Sequence, residues 1–98
     1  MVQQTYDWDP AAYLDSEESM AEYLEAALEE NDSALIAAAL GDIARAKGMT
    51  RIARDTGLGR ESLYKGLSVE GNPNLSTVLK VLDALGLELR AVPRVHKA

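Results

Sequence analysis

Residues 49–67 read M-T-R-I-A-R-D-T-G-L-G-R-E-S-L-Y-K-G-L, and the glycine at their centre constrains the chain more than any other feature. Two helix-forming runs flank Gly57 at a position that suits a left-handed backbone conformation. The pattern predicts a helix capped by Thr50 and ending near Thr56, a tight turn, and a second helix over 60–67. Ile52 and Ala53 point inward on the first helix, and Leu58, Leu63 and Leu67 follow on the turn and the second. Ala53 is small and precedes Gly57 by one helical turn, so two helix backbones can approach closely there. This is the spacing of a helix-turn-helix, whose second helix can lie in the major groove of DNA. Its exposed side chains would be Arg60, Glu61, Ser62, Tyr64 and Lys65. A plain helical hairpin with core leucines has the same apolar pattern, so charge must arbitrate.

The charge is divided along the chain. Residues 1–44 carry eleven acids and no lysine or arginine, for −11; residues 45–98 carry ten bases and five acids, for +5, which together give the net −6. Within 45–65, Arg45, Lys47, Arg51, Arg54, Arg60 and Lys65 face only Asp55 and Glu61. The positive charge therefore concentrates on the stretch that would meet phosphates, while the net charge argues against a nonspecific nucleic-acid coat.

The acidic half begins with an arm. Tyr6, Trp8 and Tyr13 surround an Asp9-Pro10 turn signal and would pin extended chain onto the core; residues 3–7 are a candidate short strand. Asp15 and Glu18 have the spacing of a capping box, and a helix is expected over 16–30. Met20, Tyr23, Leu24, Ala27 and Leu28 form its apolar stripe. Glu18, Glu22, Glu25 and Glu29 stand on the other side with no interleaved base, a solvated face or a surface for a basic partner. Asn31-Asp32 breaks that helix and caps the next, over 33–47, where Leu35, Ile36, Ala39, Leu40 and Ile43 should face inward. Gly41 marks a close helix contact. Gly48 ends the helix, and Arg45 and Lys47 complement its negative end.

Beyond the helix-turn-helix, Gly71-Asn72-Pro73 marks a loop. A helix follows over 75–85 with the stripe Leu75, Val78, Leu79 and Leu82; Val81 and Leu85 make it wider than one small core requires. Residues 87–92 alternate like a half-buried strand. A lone strand leaves its backbone groups unpaired, so it needs the N-terminal arm, a second copy or another protein.

Other classes fit less well. There is no cysteine, and the one histidine is His96 in the tail. No nucleophile–base set, phosphate loop or paired-carboxylate cleft appears, so neither an enzyme, a cofactor nor a metal site is expected. No apolar run approaches the roughly 20 residues that span a bilayer, and the N-terminus has no signal-like region. A cytoplasmic protein of one small domain is expected from 98 residues that are 47% hydrophobic.

Five segments together resemble one family: W-D-P-A-A-Y-L (8–14), Y-L-E-A-A-L-E (23–29), A-L-I-A-A-A-L-G-D-I-A-R-A-K-G-M-T (34–50), G-R-E-S-L-Y-K-G-L (59–67) and G-N-P-N-L-S-T-V-L-K-V-L-D-A-L-G-L (71–87). They are similar to the addiction-module antidote proteins, HigA-like bacterial antitoxins with a lambda-repressor-like helix-turn-helix. The resemblance implies an antitoxin that silences a RelE/ParE-like toxin and, as a homodimer, represses its own promoter at an inverted-repeat operator. Carried over by position, Arg60 and Glu61 open the recognition helix towards base edges, with Gly59, Ser62, Tyr64 and Lys65 beside them, and Thr50 and Arg51 face phosphate. Gly59 stands where the family often has a capping serine, and Gly66 where it often has alanine; both weaken the recognition helix.

The expectation is an all-α, five-helix domain with one short C-terminal strand. Residues 1–31 are the acidic arm and helix, 32–92 the DNA-binding domain with its strand, and 93–98 a tail. The toxin would meet Glu18, Glu22, Glu25 and Glu29, with Trp8 or Tyr23 as apolar anchors. The alternatives are a stand-alone transcriptional regulator, or an interaction module that no longer reads DNA.

Overall fold

The computed structural model describes residues 9–95. The candidate strand at 3–7 and the anchor Trp8 lie outside them. Five α-helices follow a short 3₁₀ turn, Pro10–Tyr13: α1 (Glu17–Glu29), α2 (Ser33–Lys47), α3 (Met49–Thr56), α4 (Arg60–Gly66) and α5 (Leu75–Leu85).

Caps set most of these boundaries. The box at the start of α1 lies one residue later than the acid spacing suggests. Ser19 N–H donates to Ser16 Oγ at 3.0 Å, and Ser16 N–H donates to Ser19 Oγ at 3.2 Å. Two hydroxyls, rather than the carboxylates of Asp15 and Glu18, form the reciprocal cap, and they serve the N–H groups of Ser16 and Ser19. Asn31 breaks α1 with φ 59, and Asp32 Oδ1 accepts from Ala34 and Leu35 N–H to start α2. Thr50 does not cap α3. Gly48 ends α2 and starts α3 without a side-chain cap, which places Thr50 inside the first turn.

The core lies where α2, α3 and α5 meet, with α1 and α4 closing it. Leu40, Ile43, Ile52, Leu63, Val81, Leu82 and Leu85 are almost wholly withdrawn from solvent. Each such side chain contributes about 1.5–3 kcal/mol of transfer free energy. Gly41 is where α2 meets the end of α4, since a Cβ there would run into the carbonyl oxygen of Leu67.

Two helices are turned relative to their sequence stripes. On α2, Leu35 is 41% exposed, while Ala37 and Ala44 are buried instead. On α5, Val81, Leu82 and Leu85 face the core, which leaves Leu75 and Leu79 on the surface at 66% and 49%. The residues that seemed to widen the α5 stripe are its inner face.

The expected C-terminal strand is absent: no strand occurs among the described residues. Leu87 N–H donates to Leu82 O at 2.9 Å, completing the cap of α5 around Gly86. The first residue of the supposed strand thus belongs to the helix end. Leu87 is half-buried, and the described chain beyond it runs exposed, with no strand beside it among the described residues.

Candidate functional site

The helical hairpin of α3 and α4 is built by a hydroxyl as well as a glycine. Gly57 takes the left-handed conformation with φ 76. Thr56 Oγ1 donates to Ile52 O at 2.7 Å and accepts from Leu58 N–H at 3.2 Å, tying the turn to the helix before it. Ile52 and Leu63 then bury the inner faces at 0% and 2% exposure. The outer face of α4 presents Arg60, Glu61, Ser62, Tyr64 and Lys65, all exposed. Thr50 and Arg51 are exposed on the first turn of α3, and Gly59 precedes α4 without a side-chain cap.

Three contacts on this hairpin were not anticipated. The Arg60 guanidinium lies over the Tyr64 ring, 5.8 Å from its centre, a cation–π pair one turn apart. Asp55 sits between two arginines, 3.8 Å from Arg51 Nε and 3.6 Å from Arg54 Nε. The spacing of Arg60 to Tyr64 and of Arg51 to Asp55 is the i, i+4 of helical neighbours, so both were available as signals.

On the acidic side, Glu18, Glu22, Glu25 and Glu29 are exposed along α1. Tyr23 is half-buried, and its hydroxyl donates to Asp42 Oδ2 of α2 at 2.6 Å. Arg45 holds the other oxygen of Asp42 at 2.6 Å and reaches Asp9 at 3.3 Å. Burial, then the Asp42 hydrogen bond, push the Tyr23 phenol up to about 12. The network joins α1, α2 and the 3₁₀ turn. Asp42 and Arg45 also line a groove of about 310 Å³ bordered by Tyr64 of α4. Tyr23 and Asp42 are nineteen residues apart, and no local pattern connects them. Trp8, the other expected anchor, lies outside the described residues.

Residues 4–93 match the family model described as "Probable addiction module antidote protein". The chain belongs to this antidote family. Over 90 residues the antidote protein is 51% identical to an uncharacterized protein of Haemophilus influenzae (strain ATCC 51907 / DSM 11121 / KW20 / Rd), which covers 92% of this chain and 93% of that one. No solved structure matches. Membership gives the antidote protein an antitoxin role in a toxin–antitoxin module, and hence a toxin of some kind as partner. No helix among its described residues is long and apolar enough to cross a membrane.

Proposed function

We propose that the antidote protein neutralises a RelE/ParE-like toxin and, as a homodimer, represses its own promoter through α3 and α4. It acts by binding, not catalysis. The observation that carries the DNA half is the outer face of α4: five exposed polar side chains over a buried Leu63, on a hairpin turned by Gly57. Arg60 suits a bidentate pair with guanine O6 and N7, and Glu61 suits cytosine N4. Arg51 suits a phosphate. The acidic side of α1 suits a basic toxin, because opposite fields speed encounter and select the partner.

The test is binding to the upstream promoter across a salt series. Arg60→Ala should lose about 1–3 kcal/mol and relax specificity at one base pair. Arg51→Ala should weaken all sequences alike and reduce the salt slope. Unchanged affinity in both variants would remove the helix-turn-helix from the mechanism and leave an interaction module.

A further inference from the structure

We propose that the cleft between α1 and α2 is the seat of the toxin, receiving an apolar toxin side chain flanked by lysine or arginine. The inference rests on the antitoxin role and adds to it the place and chemistry of contact.

Each wall of the cleft is one helix face with the same spacing. α1 and its C-cap residue supply Tyr23, Ala26, Ala27 and Glu30; α2 supplies Leu35, Ala38, Ala39 and Asp42. Both sets fall at i, i+3, i+4 and i+7, so each is a single stripe. The short turn between the helices makes them antiparallel. The hydrogen bond from Tyr23 to Asp42 closes one end, and Glu30 and Leu35 stand at the other. Ala27 and Ala39 form the floor, 6% and 4% exposed. No side chain in the middle reaches past Cβ, which leaves about 370 Å³ open to the surface.

The chemistry selects the occupant. A small-molecule site brings a few polar groups to bear on its ligand. Here the Tyr23 hydroxyl and Asp42 are already bound to each other, and Asp42 also to Arg45. What remains is an apolar floor with a carboxylate, Glu30, at its mouth. The outer side of α1 adds Glu18, Glu22, Glu25 and Glu29. Among the described residues, none of these five has a basic partner within ion-pair distance, whereas Glu17 has Lys47 at 3.9 Å. Two copies of this chain meeting there across a two-fold axis would set the same carboxylates against each other. DNA phosphates would be repelled likewise. A basic protein that inserts an apolar side chain satisfies both the floor and the rim.

The experiment measures binding kinetics between the full chain and the toxin of its own module. Ala26 is exposed on the cleft wall, so Ala26→Trp fills the cleft from outside the core. Ser76→Trp places the same bulk on an exposed site of α5, away from both walls of the cleft and from the acidic side of α1. Ala26→Trp should weaken toxin binding by about tenfold or more, mainly through faster dissociation, with circular dichroism and promoter binding unchanged. Ser76→Trp should bind toxin as the unaltered protein does. Glu30→Lys should slow association and flatten its salt dependence. Unaltered toxin affinity in Ala26→Trp, or an equal loss in both tryptophan variants, overturns the cleft while leaving the antitoxin reading in place. Loss of self-association in Ala26→Trp without loss of toxin affinity assigns the cleft to a second copy and overturns it too. Failure of the unaltered chain to bind the toxin overturns both.

Discussion

Gly41 and Gly66 stand near opposite sides of the same contact and should respond oppositely to one methyl group. A Cβ on Gly41 meets the Leu67 carbonyl, a backbone atom that cannot rotate away. Gly41→Ala should therefore lower stability by about 1–3 kcal/mol, as overpacking does. A Cβ on Gly66 meets nothing within 4 Å. Gly66→Ala should raise stability by about 0.5–1 kcal/mol by favouring the helical form of α4. Urea midpoints for the two variants check both signs; a shift in the same direction for both would contradict this account. The need for a small residue at 41 was legible in the sequence, since glycine inside an apolar helix face implies close approach. What approaches was not legible, because the Leu67 carbonyl is placed by the whole α4 packing.

Helix positions were more legible than helix rotations. The residues of α2 and α5 were recovered from periodicity and caps, because start and stop signals are local. Which apolar residues turn inward was not, because α5 offers two overlapping stripes and only its packing against α2 and α3 chooses between them. The Tyr23–Asp42 bond is an extreme case of this, a contact between elements with no trace along the chain. It also has a consequence for docking of α1 on α2. The folded state raises the Tyr23 phenol from 10.0 to about 12. A raised pKa means the folded form holds the proton more tightly, so its contribution is fully present below pH 10 and is lost as pH rises towards 12. Thermal melting across that window should show a fall in midpoint that Tyr23→Phe reduces. An identical alkaline profile in Tyr23→Phe would locate the dependence elsewhere.

The apolar side chains left uncovered among the described residues include the pair Leu75 and Leu79, one turn apart on α5, and those of the run after Leu87. The proposed homodimer has an obvious use for the first. A two-fold pair would hold its recognition helices about 34 Å apart, one turn of DNA. Leu79→Glu, at a site 49% exposed, should fold normally, sediment as a monomer at micromolar concentration, and bind the promoter more weakly than the dimer. A dimer that survives this change would exclude the α5 face as its interface. The chain after Leu87 has a different bearing, on lifetime. Its backbone is exposed, and Val92 and Val95 are 80% and 90% accessible. Arg90 and Arg94 lie within this run, outside any helix. A protease needs extended chain, which the five helices deny it and this run supplies. Brief trypsin treatment should cut after Arg90 and Arg94 before it cuts at any arginine or lysine of α2 to α5, and the trimmed protein should keep its helical circular dichroism. Whether the run beyond Leu87 is kept or trimmed would then be decided by whether something covers that chain, while the five helices outlast the cut either way.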